Sequence, residues 1–331
     1  MQRRRPAHQV VDGIPRCVGV NPYFLRRSPK FRAEAGDVVQ STFPKSGTNW
    51  IQYITQLILK GGEPIVTYDE FSENCRALEY VNYQDWKSPL PLRPFLTHLS
   101  FSRDAITEEG KYIYVARNPW DVCVSFFHMA TNLSRYEFQS GTFEEFVDAF
   151  LDGDLGHGDY FEHVTSGYAL RTQPNVFFVT YEQLQKDTRE VVLRLAYFLG
   201  ERYGKALEHD QGRLEKLLER SRPEYMRRIM VIDFRENVNP EWYRTPSGAQ
   251  STCKEGFQGD KRRYGVVRVA KVGEWKEYFT SQQLRRMEAK IQHAQNASSV
   301  MKLWHDIREE AIQASHIDMY TLVGLADKRF A

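Results

Sequence analysis

Gln40-Ser41-Thr42-Phe43-Pro44-Lys45-Ser46-Gly47-Thr48-Asn49-Trp50 is the stretch that decides the fold. Before it, Val38 to Phe43 is β-branched and aromatic, the composition of a short buried strand. After it, Trp50, Ile51, Ile54, Leu57 and Ile58 recur at helical spacing, and Gly61-Gly62 supplies a stop. A strand–turn–helix junction of this kind leaves backbone N–H groups free at a helix N-terminus, where the dipole favours an anion. Lys45 adds a point charge, and Ser46, Thr48 and Asn49 add side-chain donors. The stretch therefore reads as a phosphate-binding loop. Its Lys precedes its Gly and the loop is short, unlike the GxxxxGK(S/T) pattern.

The 331 residues suffice for one large α/β domain or two smaller ones, and 41% hydrophobic with 13% aromatic content is globular. With 45 basic and 43 acidic residues the net charge is only +2, so bulk electrostatics make no case for nucleic acid or an anionic membrane. Any anion site must be local. Cys17, Cys75, Cys123 and Cys253 are scattered, which suits neither a zinc site nor a disulfide framework; no metal is expected. The basic Met1-Gln2-Arg3-Arg4-Arg5-Pro6 is followed by no apolar run, and no window approaches about 18 continuous apolar residues. A reducing cytoplasm is the expected location.

Outward from the loop, residues 1–37 read as a segment packing over the body of the protein, and 38–331 as the domain itself. Three further strands are predicted at 95–99, 111–116 and 176–181. The third strand runs into a helix start with Asn118 as N-cap, Pro119 at the first position and Asp121 at the third. Helices are expected over 143–151, 188–199, 212–221, 281–296 and 298–315. Residues 61–94 mix turn formers with Phe71, Tyr80, Tyr83 and Trp86, suited both to a wall around an apolar ligand and to ordinary packing. Residues 237–265 read as a long lid loop. Alternating strands and helices imply a parallel sheet covered by helices, with ligands beyond the carboxyl ends of its strands. Lys45, His98, Arg117 and Tyr181 then share one edge.

Those positions carry a resemblance. Pro44-Lys45-Ser46-Gly47-Thr48-Asn49-Trp50 resembles the 5′-phosphosulfate loop of the cytosolic sulfotransferases, which use 3′-phosphoadenosine 5′-phosphosulfate (PAPS). Arg117-Asn118-Pro119-Trp120-Asp121-Val122-Cys123-Val124-Ser125 looks like that family's RNxxDxxxS, Thr97-His98-Leu99 its THLP, and Tyr181-Glu182 its FYE. Arg268-Val269-Ala270-Lys271-Val272-Gly273-Glu274-Trp275-Lys276 is similar to RKGxxGDWK, and Ser221 falls where the family contacts the adenine. The likeness spans roughly 35–295 in order. It implies one α/β domain with a central parallel β-sheet flanked by helices, a P-loop-like phosphosulfate loop and mobile lids. It implies sulfuryl transfer to a small hydroxyl acceptor (a phenol, catechol-type amine or steroid), with 3′-phosphoadenosine 5′-phosphate (PAP) as product and no metal. Lys45, His98 and Ser125 become the catalytic set, His98 as base. Ser46, Gly47, Thr48, Asn49, Trp50, Arg117, Tyr181, Ser221, Arg268, Val269 and Ala270 join Lys45 and Ser125 around the nucleotide. Tyr23, Phe24, Tyr80, Tyr83, Trp86, Phe127 and Met129 join His98 around the acceptor. His128, His157, His163 and His209 are expected to be structural.

Departures from the pattern are also readable. Leu96 and Ser100 flank His98 where the family has Lys and Pro. Val269-Ala270 replaces Lys-Gly, Asn49 replaces Thr, and Pro223 stands where an aromatic stacks on the adenine. The family's dimer segment KxxxTVxxxE lacks its Val and its acid over Lys276 to Arg285, leaving monomer and homodimer both open. Two rivals remain: a homologue that binds PAPS or PAP without turnover, and a nucleotide kinase, which would need a Walker-type lysine and a magnesium-holding acid.

Overall fold

A computed structural model describes residues 4–235, 244–296 and 298–326. Nine strands are assigned among them: β1 His8–Val11, β2 Ile14–Cys17, β3 Asp37–Thr42, β4 Arg76–Ala77, β5 Arg93–Thr97, β6 Lys111–Ala116, β7 Val176–Thr180, β8 Val231–Asp233 and β9 Arg263–Gly265. Five form a parallel sheet in the order β4-β5-β3-β6-β7. Parallel neighbours need crossovers, and helices lie in two of them: Thr48–Leu59 between β3 and β4, and Pro119–Asn132, Phe143–Leu151 and Tyr160–Ala169 between β6 and β7. Tyr181–Lys186 and Thr188–Leu199 follow the last strand of the sheet.

Both faces of the sheet are covered, which is why its strands read as apolar runs rather than alternating ones. Val38, Ile113, Val115 and Val179 point into one core with Ile51, Ile54, Leu57 and Leu195. Val39, Tyr112, Tyr114 and Phe95 point into the other with Phe126, Phe146 and Phe150. Successive strand residues thus serve opposite cores, as a period of two requires. Helix Thr48–Leu59 buries all but Asn49 and Trp50, so its position relative to β3 is fixed tightly.

The expected strands and the helices at 143–151 and 188–199 lie where the sequence puts them, within two residues. Asn118 caps its helix by accepting from the Asp121 amide at 2.8 Å, an interaction worth about 1 kcal/mol. Other elements went unforeseen. Residues 8–17 form an antiparallel hairpin, β1–β2, tied to the body by Ala7 N to Tyr136 O (2.6 Å) and Cys17 N to Gly156 O (2.9 Å). β9, at the end of the stretch expected to be loop, pairs antiparallel with β8. Short strands without apolar alternation leave little trace in sequence. Of the expected lid, 237–243 lies outside the described residues; Lys254 to Gln258 wall a hollow beside Lys45. No helix among the described residues is long and apolar enough to cross a membrane.

Candidate active site

β3 is central to everything at the site. Its carboxyl end turns through Phe43 to Gly47 into helix Thr48–Leu59, and Lys45 (φ 71°) and Gly47 (φ 105°) take left-handed backbone conformations there. Gly47 is required twice over, because a Cβ would also lie 2.9 Å from the Tyr181 ring. Thr42 and Thr48 hydroxyls meet at 2.6 Å and Gln40 donates to the Thr48 carbonyl at 2.9 Å, closing the turn. The first amides of the following helix have no intrahelical acceptor. The Ser46 hydroxyl is buried without a hydrogen-bond partner among the described residues. Burial, then the positive charges of Arg268 and Arg117, lower the pKa of the Lys45 ammonium to about 8.

Strand register brings His98 to this turn. Ser41 pairs with Thr97 across β3 and β5, so the next residues, Thr42 and His98, stand side by side. His98 Nδ1 lies 2.8 Å from the Thr42 carbonyl. A carbonyl only accepts, so Nδ1 carries the hydrogen and Nε2 keeps its lone pair. Burial, then neighbouring His157, lower the His98 pKa to about 4, against the opposing pull of Glu79 and the Thr42 bond. Buried Glu79 holds the strand end from behind: its Oε1 accepts from the amides of His98 (2.8 Å) and Leu99 (3.1 Å) and from the Thr97 hydroxyl. His163 Nε2 donates to the His98 carbonyl at 3.2 Å while its Nδ1 meets the Tyr114 hydroxyl at 2.7 Å, a structural role as expected.

On the other side of β3, Arg117 follows β6 directly. Its guanidinium donates to the carbonyls of Lys45 (3.2 Å) and Lys271 (2.9 Å) and lies 4.2 Å from the centre of the Tyr181 ring. Its Nε is buried with no hydrogen-bond partner among the described residues. Buried Asp121 reaches across to the far segment, accepting from the amides of Gly273 (2.9 Å) and Trp275 (3.2 Å). That anchor places Arg268, whose guanidinium forms a two-pronged pair with Glu274. Burial opposes ionisation of Glu274, but Arg268 outweighs it and lowers the pKa. Ala270 stands at φ 57°, a conformation that suits the glycine of the family pattern better than alanine.

One cavity of about 260 Å³ gathers these residues: Lys45, Gly47, Thr48, Asn49, Trp50, His98, Arg117, Ser125, Tyr181, Arg268, Val269 and Ala270 all line it. Leu96 and Pro223 line it too. Two expected nucleotide contacts do not. Ser46 is buried within the loop, and the Ser221 hydroxyl is used within its own helix, donating to the Leu218 carbonyl at 2.8 Å. Of the expected acceptor wall, Tyr80 and Met129 line the cavity. Tyr23, Phe24, Tyr83, Trp86 and Phe127 lie elsewhere: Tyr23 is 58% exposed and edge-on to Phe24, Tyr83 and Trp86 pack on Phe95, and Phe127 on Phe143 and Phe146. The cavity is also lined by Cys17, Leu133, Arg135, Tyr136, His157, Ile232 and Tyr264, none singled out for the site from the sequence. Gly156-His157-Gly158 was the available signal: two glycines at φ 75° present the imidazole from a loop whose Gly156 fits against β2 too closely for any Cβ.

The sulfotransferase domain family model matches residues 35–305. The chain belongs to the sulfotransferase family. Among curated relatives, the 3-alpha-hydroxysteroid sulfotransferase of Cavia porcellus is 30% identical over 266 residues, covering 78% of this chain and 84% of the relative. The amine sulfotransferase of Oryctolagus cuniculus is 28% identical over 299 residues, covering 88% and 91%. Among solved structures, mouse sulfotransferase SULT7A1 complexed with PAP superposes with a TM-score of 0.65 at 20% identity, covering 92% of this chain and 99% of that one. This sulfotransferase therefore shares the fold expected from its sequence, a central parallel sheet flanked by helices.

Proposed function

We propose that this sulfotransferase moves the sulfuryl group of PAPS to a hydroxyl of a small acceptor, with His98 as general base and Lys45 supporting the departing phosphate. The observation that carries the reading is the meeting of Lys45, the lone pair of His98, Arg117 and Ser125 in one cavity. The residues suit a nucleotide with two phosphates. The Lys45 turn and the amides beginning helix Thr48–Leu59 would hold the 5′ side. Arg117, Ser125 and the Arg268 segment would hold the 3′-phosphate, and the unpartnered Arg117 Nε is a buried donor that an anion there would satisfy. Bound PAPS supplies an activated sulfuryl group with a phosphate leaving group. Nε2 of His98 accepts the acceptor's proton as its oxygen attacks. The Lys45 ammonium faces the charge that develops on the leaving oxygen.

Tyr80, Tyr136, Tyr264, Met129, Leu133 and Ile232 make the acceptor end aromatic and apolar, in keeping with a phenol, catechol-type amine or steroid. Steroid and amine sulfotransferases among the relatives support the same classes. Residues 1–37 are read as a segment packing over the domain of residues 38–331, a reading supported by the hairpin's contacts with Tyr136 and Gly156. Location in the cytoplasm is part of this proposal.

A second reading, a homologue that holds the nucleotide without turnover, draws on two observations: Leu96 lacks the family's ammonium beside His98, and Arg268 is already paired with Glu274. Turnover of labelled PAPS on a panel of phenols, catechol-type amines and sterols decides between them. PAP should raise Tm without magnesium and ATP should not; the opposite pattern would point to a kinase.

A further inference from the structure

His98 does not face the acceptor end alone. The ring of His157 stands 5.6 Å from that of His98, centre to centre, with the planes at 83°, and both line the same cavity. Phe43 and Phe126 flank His157 at 6.4 and 5.8 Å, holding it as part of an aromatic wall. Neither of its ring nitrogens has a hydrogen-bond partner among the described residues, whereas behind His98 both ring nitrogens of His163 and Oε1 of Glu79 are engaged. The loop that carries it is bolted to β2 through the Gly156 carbonyl, so its position is set. Leu96, meanwhile, leaves the strand end without the basic donor of the family pattern.

We propose that His157 is a second catalytic imidazole, whose ring N–H donates a hydrogen bond to the acceptor oxygen while Nε2 of His98 removes that oxygen's proton. The inference rests on the sulfonation reading. In the step, the acceptor O–H breaks and its proton passes to His98. The oxygen's electron pair forms the new O–S bond as the old S–O bond breaks, its electrons going to the phosphate beside Lys45. His157 keeps its own hydrogen throughout. An oxygen bridging two imidazole nitrogens, at about 2.8 Å from each, fits rings at this separation. Arg135 and Arg16 face His157, with His98 and His163 nearby; burial and then the two guanidiniums lower its pKa to about 3. It is thus neutral at physiological pH, with one nitrogen a donor.

A donor on the attacking oxygen matters most when that oxygen gives up its proton reluctantly. The test compares the parent enzyme, His157→Phe and His157→Gln on para-substituted phenols from acidic 4-nitrophenol to weakly acidic 4-methylphenol. His157→Phe should lose about tenfold in kcat/KM on 4-methylphenol and markedly less on 4-nitrophenol, and His157→Gln should recover part of the loss. In the dead-end complex with PAP, the absorbance titration of bound 4-nitrophenol should move to higher pH in His157→Phe. Equal losses across the series with an unmoved titration would overturn the role of His157. Should His157→Phe fail to show a PAP-induced Tm shift, the same comparison is read on His157→Leu. A parent enzyme inactive on every phenol would overturn this inference, and one inactive on catechol-type amines and sterols as well would overturn the sulfonation reading with it.

Discussion

At the Lys45 end of the cavity, Lys45, Arg117 and Tyr181 follow three adjacent parallel strands, each within three residues of the strand's end. At the His157 end, Cys17, Tyr80, Met129, Arg135 and His157 arrive from a hairpin, a loop, a helix, a short turn and a glycine-flanked connection. The first group is placed by hydrogen-bonded register, which one strand imposes on the next. The second is placed by tertiary packing, with no single ladder relating its members. His98 belongs to both: register brings it beside Thr42, and packing sets His157 against it.

The largest effect should come from the residue shared by the two ends. His98→Ala is expected to lose about 10²–10⁴ of kcat while PAP still raises Tm, since only the proton acceptor is gone. Turnover comparable with the parent would break the assignment. Lys45→Met should lose about 10²–10³ of kcat with any acceptor, a loss confined to the Lys45 end. If the loss instead varied with the acceptor, the two ends would not be separable.

A pH profile sharpens the same division. The lowered pKa of His98 leaves its base form intact above about pH 4, so kcat/KM should be flat across neutral pH rather than falling near pH 6.5. The lowered pKa of Lys45 means its ammonium is lost as pH rises through about 8, so kcat/KM for PAPS should fall above that point, approaching tenfold per unit. The smallest effects separate two serines that the family resemblance places at the nucleotide. Ser125→Ala should weaken PAP binding by up to about tenfold, read by calorimetry. Ser221→Ala should leave PAP binding unchanged and lower stability by about 1 kcal/mol in urea titration, because its hydroxyl serves the Leu218 carbonyl.

The sequence alone determined the alternation of strands and helices, the phosphate turn, the capped helix start at Asn118 and the family. Each of these depends on residues within a few positions of one another, where propensity, capping and backbone freedom act. The rule that ligands collect beyond the carboxyl ends of a parallel sheet then grouped Lys45, His98, Arg117 and Tyr181, which line one cavity; the strand order itself came from the tertiary structure. Only the tertiary structure decided which aromatics line the cavity, turning Tyr83, Trp86 and Phe127 into packing and admitting Tyr136 and Tyr264. It also decided that Ser221 points into its own helix, that Arg268 meets Glu274, and that His157 stands across from His98. Those outcomes depend on how helices and loops pack against the sheet. Contacts between segments more than a hundred residues apart in some cases, such as Cys17 with Arg135, leave no periodicity for a sequence to display.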